Sequence, residues 1–177
     1  MLFRSRVPHL MERVAWLNQL PPSFSGCVIG NEVLDAMPVH RVTRCRGDTL
    51  EGYVQAGGEP DTFLDLECPP TEQVREAAEQ LSLPADDYRT EIQFAARGFV
   101  HSLARVIERG VALFFDYGFP RHEYYHPQRT RGTLMCHYRH LAHDNPYFLP
   151  GLQDITDRKS TRLNSSHIQK SRMPSSA

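Results

Sequence analysis

Between residues 90 and 118 the chain reads TEIQFAARGFVHSLARVIERGVALFFDYG, and this stretch restricts the fold more than any other. Ile92, Ala95, Ala96, Phe99, Leu103, Val106 and Ile107 recur at helical spacing, Gly110 stands where a C-terminal stop belongs, and the apolar run VALFF follows at once. Helix, glycine stop and buried strand in succession are the αβ half of a parallel-sheet unit, so a layered α/β fold is expected. A second run, CVIGNEV at 27–33, is short, β-branched and introduced by Ser25-Gly26, which fits a strand buried on both faces. Both runs end on acid side chains, Glu32 beside Asn31 in the first and Asp116 in the second.

The remaining segments fill in around these two strands. VPHLMERVAWLNQLPP, from residue 7, has helical spacing at Val7, Leu10, Met11, Val14 and Leu17, although VAWL also suits a short strand. From His40 to Glu67, alternating runs broken by Gly47-Asp48 and Gly57-Gly58 predict a hairpin or three-stranded meander. Thr71 precedes a short helix, EQVREAAEQLS, as its cap, and LPADDYR is expected to be a loop. From 119 to 157, His, Pro, Tyr and Arg dominate without a sustained period, which predicts a long covering loop.

Composition narrows the class. No window holds the roughly eighteen apolar residues a membrane span needs, and the first residues lack the layout of a signal peptide. Cys27, Cys45, Cys68 and Cys136 lie far apart with no CxxC pair, so free thiols are expected. All 21 acidic residues fall in 1–157 beside 15 arginines, a charge of about −6 that argues against nucleic-acid binding. Both lysines, Lys159 and Lys170, lie in the last twenty residues with six serines and no acid. That break in usage predicts a body at 1–157 and a non-native, disordered tail at 158–177 resembling a translated adaptor; the alternative is a natural basic tail.

In open α/β sheets ligands gather at the carboxyl ends of strands, so Asn31, Glu32 and Asp116 would line one crevice. The competing reading is that each acid caps the turn that follows it, and for Asp35 that reading is preferred. GNEVLDAMPVHR, RTEIQFAARGFV, GVALFFDYGFPRHEYYHPQRTRGTLMCHYRHLAHDNP and PGLQDITD resemble, in order and spacing, the MidA-like family of class I S-adenosylmethionine-dependent methyltransferases. That family includes the mitochondrial protein arginine methyltransferase that acts in respiratory complex I assembly.

The resemblance implies a partial Rossmann-like parallel sheet with an inserted hairpin or meander, S-adenosylmethionine as cofactor, and a protein substrate such as a complex I subunit. The setting would be the bacterial cytoplasm, or the mitochondrial matrix in a eukaryote. It places CVIGNEV as the fourth strand and VALFFDYG as the fifth. The first βαβ unit, with the glycine-rich turn for the cofactor, would lie before residue 1, and no GxGxG pattern occurs in this sequence. The chain alone is therefore expected to be inactive, and a non-catalytic partner-binding module is the alternative function.

If the acceptor is an arginine, a carboxylate suits its planar fork of N–H donors. Glu32 is the first candidate, Asn31 a neighbouring hydrogen-bonding group and Asp116 a second acid, while Tyr117 would stack on target or cofactor. Glu91 is expected to open the long helix, either as a favourable N-terminal charge or as a substrate contact. Tyr125, Arg131, His137 and Arg139 would shape the mouth for a protein substrate, with Arg131 the candidate for the cofactor's carboxylate. His122, His126, His137, His140 and His143 invite a zinc reading, but their spacing matches no established ligand pattern, and no metal site is assigned.

Overall fold

The computed structural model describes residues 6–59, 62–81, 83 and 87–157, together with the backbone of 168–171. Two strands set the frame. β1 (Phe24–Asn31) and β6 (Ile107–Phe115) run parallel, with Cys27 opposite Val111 and Asn31 opposite Phe115. The α2 helix (Phe94–Val106) leads into β6 without a loop, as the αβ reading requires. It buries Ala96 and Leu103, and Phe99 meets Phe114 of β6 edge to face at 6.2 Å.

The stop itself differs from expectation. The chain leaves the helix at Ile107, whose extended conformation starts the strand, and Gly110 lies inside β6. A Cβ there would collide with the Gly26 carbonyl of β1, so this glycine serves close strand approach instead of helix termination.

The meander is present as β2 (His40–Cys45), β3 (Asp48–Ala56) and β4 (Phe63–Cys68), all antiparallel. Arg46 and Gly47 both take positive φ at the first turn, as a two-residue hairpin demands. A fourth strand, β5 (Tyr88–Ile92), joins the β2 edge, giving the order β4-β3-β2-β5. Here the expected loop and first helical turn are strand, because Thr90 and Ile92 complete the buried face of this sheet.

On that face α1 (Glu72–Leu81) packs Val74 and Ala78 against Val42 and Ile92. Fully burying one such side chain contributes roughly 1.5–3 kcal/mol. Thr71 begins the helix by donating its N–H (2.8 Å) and hydroxyl (3.1 Å) to Glu51, while its carbonyl accepts the N–H of Arg75.

Segment 119–157 is more ordered than the expected covering loop. A single turn, α3 (Arg121–Tyr124), precedes a small antiparallel sheet of β7 (Leu134–Tyr138), β8 (Leu141–His143) and β9 (Asp154–Asp157), with β7 central. Its strands are short and its polar residues are buried in a network, so apolar periodicity does not reveal them. Near the N-terminus, Pro8–Arg13 forms a 3-10 helix that buries none of its side chains. Of the stretch expected to be a foreign tail, 158–167 and 172–177 lie outside the described residues. β10 (Ile168–Ser171) runs antiparallel along β6.

Candidate active site

The ladder between β1 and β6 continues one residue past Asn31, where the Glu32 N–H donates to the Phe115 carbonyl at 2.8 Å. The chain then turns sharply. Asp116, the residue after β6, accepts backbone N–H groups from Val33 (3.4 Å), Leu34 (3.2 Å) and Asp35 (3.1 Å). Three successive amides converging on one carboxylate form an anion-holding concavity, here filled by the protein's own side chain.

This grip fixes the turn and holds Glu32 at φ 50°, a left-handed conformation uncommon for a residue with a side chain. Gly30 is required just before it, since a Cβ there would stand 2.7 Å from the Phe114 ring. The result is a rim on which Asn31, Glu32 and Tyr117 are exposed side by side at the ends of neighbouring parallel strands. Asp116 shares that rim, but its oxygens face the loop backbone. The capping role weighed for it in the sequence is the one its geometry serves.

Glu91 does not open a helix. It lies in β5, about 1% exposed, and points at the turn before β7. Its carboxyl accepts the Thr133 N–H at 2.8 Å and the Leu134 N–H at 3.4 Å, and contacts the Thr133 hydroxyl at 3.1 Å. Thr133 also reaches Asp157 Oδ1 at 2.6 Å, as does the Tyr124 hydroxyl at 2.7 Å, and the Gln93 side-chain amide donates to Asp157 Oδ2. Burial, opposed by the Thr133 amide and reinforced by the Asp157 charge, pushes the Glu91 carboxyl up to about 7. Burial also raises the Tyr124 phenol, with Asp157 and Glu91 adding to the effect. The Asp157 N–H donates to the Asp35 carbonyl at 2.9 Å, which joins this buried network to the rim loop.

The other expected site residues lie elsewhere. Arg131 bridges Arg89 at the start of β5. His137 pairs with Ala142 and Asp154 within the small sheet, and Arg139 occupies the β7–β8 turn at φ 48°, its guanidinium 5.3 Å from the Tyr138 ring. Thr133, Asp157, Gln93 and Tyr124 were not singled out in the sequence. Gly132-Thr133, where basic Arg129–Arg131 gives way to the apolar Leu134–Cys136, is the faint signal that points to them, because Gly132 takes φ 77° and a Cβ there would collide with Glu91. Among the described residues, no group of three or more His, Cys, Asp or Glu could hold a metal ion, and no helix is long and apolar enough to cross a membrane.

A parallel strand pair that displays polar groups at its carboxyl ends defines an α/β protein of the class that places its ligands there. Its family is more particular. Residues 2–160 match the model of the family described as "Putative S-adenosyl-L-methionine-dependent methyltransferase", and the chain belongs to that family. It is similar to a crystallised Burkholderia thailandensis protein bound to S-adenosyl-homocysteine, with 45% identity and a TM-score of 0.77 over 88% of this chain and 40% of that one. A native crystal structure of an uncharacterized protein from the same organism matches equally, at 45% identity and TM-score 0.77 over 89% and 42%. The chain thus spans about two fifths of the length of these solved relatives. Comparison with curated proteins gave no match.

Proposed function

We propose that this sequence forms the acceptor side of a methyltransferase that uses S-adenosylmethionine to methylate an arginine of a protein substrate. When bound, the cofactor supplies an electrophilic methyl group on a cationic sulfur. The rim suits such a group chemically, because an exposed carboxylate and an exposed aromatic ring, Glu32 and Tyr117, both attract cations. No GxGxG turn occurs in this sequence, and the rim is proposed to serve the reacting end of the ligand.

Methyl transfer is an in-line displacement, so the protein's work is to position the acceptor nitrogen and keep water out. Glu32 would accept N–H bonds from the guanidinium and orient one nitrogen at the methyl group, with Asn31 beside it as a further polar contact. One observation carries this reading: Asp116 holds the turn through three backbone N–H groups, and Glu32 at its start is exposed. Family membership and the ligand of the Burkholderia protein support the cofactor. The resemblance to the MidA-like family suggests a respiratory complex I subunit as substrate. The bacterial source of both solved relatives supports a cytoplasmic setting.

The test is Glu32→Gln in the complete gene product. Turnover should fall about 10²-fold, the scale on which a preorganised electrostatic contact acts, while cofactor affinity by calorimetry stays unchanged. Unaltered turnover removes Glu32 from the site, and lost cofactor affinity reassigns it to the cofactor.

A further inference from the structure

Below the rim, two carboxyl groups from different strands meet on a single hydroxyl. Glu91 of β5 and Asp157 of β9 are each about 1% exposed, and buried Thr133 stands between them. Its Oγ1 is 3.1 Å from Glu91 Oε2 and 2.6 Å from Asp157 Oδ1. A hydroxyl carries one proton and can satisfy only one of these contacts as donor.

The shorter contact identifies where that proton goes. Asp157 also accepts the Tyr124 hydroxyl on Oδ1 and the Gln93 amide on Oδ2, so it is surrounded by donors as an anion should be. Glu91 Oε2 already accepts the Thr133 N–H at 2.8 Å, and a proton on Glu91 would turn its contact with the Thr133 hydroxyl into a hydrogen bond. We propose that Glu91 is a neutral carboxylic acid in the folded protein, and that its proton, ordered along Glu91, Thr133 and Asp157, is a pH-sensitive latch fixing the Gly132–Leu134 turn and β9 onto β5.

The surroundings agree. On this face of β5 Arg89 pairs with Glu67 of β4 at 3.6 Å, and the groups whose charge bears on Glu91 include Asp157 of β9, Tyr124 of α3 and Tyr88 of its own strand. Its cross-strand partner Arg41 on β2 directs its guanidinium to Asp65 of β4 instead. Tyr125 donates its hydroxyl to the Glu91 backbone carbonyl at 3.4 Å. The upward shift of Glu91 fits a proton retained near neutrality. When the proton leaves, two buried anions face each other across one hydroxyl, and the strain falls on the β9 segment that holds the rim loop through Asp35.

The test compares the full 177-residue chain with its Glu91→Gln variant, since an amide cannot ionise. Urea midpoints measured from about pH 5.5 to 8.5 should fall for the original chain, with the unfolding equilibrium constant rising roughly 30-fold. The variant should stay flat over the same range. A flat original chain beside a variant weakened at every pH would mean that Glu91 is an anion held by backbone amides, and would overturn the proposal. Infrared spectra of the original chain decide the matter even if the variant does not fold. A carboxylic C=O band present near pH 6 and lost by pH 8.5 is expected, and the absence of that band at pH 6 overturns the latch.

Discussion

Each face of the four-stranded sheet buries one glutamate, and the two are held by opposite means. Val42 pairs with Glu51 and Thr90 whereas Arg41 pairs with Gly52 and Glu91, so alternation puts Glu51 on the α1 face and Glu91 on the other. Both are about 1–2% exposed. Burial pushes the Glu51 carboxyl up, but the Thr71 amide, His40 ring and Thr71 hydroxyl outweigh it and bring Glu51 below its ordinary range. Glu91 also receives backbone amides, yet burial and the Asp157 charge prevail. The ionised state of a buried acid thus depends on what else faces it, beyond how deeply it lies.

The largest expected effect is the contrast in pH dependence. Glu91 rises from an ordinary 4.5 to about 7, so the folded chain binds its proton more tightly than the unfolded chain. Stability from this group is therefore greatest below about 4.5 and falls as pH rises through 7, by roughly 3 kcal/mol for 2.5 pH units. Glu51 is lowered, so its contribution is present above its unfolded pKa and is lost as pH falls through the folded value. Denaturant titrations across pH should show a maximum between the two windows, and Glu91→Gln should remove only the alkaline side. A single monotonic profile would break the comparison.

Next in size is Glu51→Gln. It discards an anion that two Thr71 donors and His40 all approach within 3.1 Å, and its amide hydrogens would point at groups that already donate. A loss of roughly 2 kcal/mol is expected near neutral pH. The identical exchange at position 91 also faces backbone donors but discards no charge, so it should cost less there, and equal losses at both sites would show that burial alone governs them.

The sequence exposed this contrast only in part. The parallel pair, α1, α2 and the meander were legible because their apolar residues recur at a helical or strand period. The rim was legible for the same reason, since Asn31, Glu32 and Asp116 sit where two apolar runs stop. β5 was not, because Thr90, Glu91 and Ile92 precede a strong helical stripe and read as its first turn. β7 to β9 escaped detection because their partners are one another and their key side chains, Thr133 and Asp157, are polar and buried. Pairing between distant strands leaves no local period to read.

Gly132→Ala probes the Glu91 side more gently. At φ 77° a side chain is strained, and the added Cβ would meet the Glu91 carboxyl. A loss of about 1–3 kcal/mol is expected. Combined with Glu91→Ala, which removes the colliding group, the two changes should cost less than the sum of the single losses, because the collision is shared. Strict additivity would separate the turn from the carboxyl it packs against.

The smallest effect belongs to Thr71→Val, which keeps the backbone N–H on Glu51 and deletes the hydroxyl donor at 3.1 Å. A hydrogen bond to a charged acceptor contributes roughly 1.5–3 kcal/mol, and with the Thr71 amide and His40 still in place a loss near 1 kcal/mol is expected, about the bottom of that range. It should shrink in the Glu51→Gln background, where the acceptor has lost its charge, and it should raise the pH at which the acid limb levels off and so make that limb smaller. Both follow from the sign of the Thr71 contribution, which favours the ionised carboxyl. An unchanged acid limb would mean that the amide and His40 hold Glu51 ionised by themselves, and the donors on this face would then be redundant where those around Glu91 are too few.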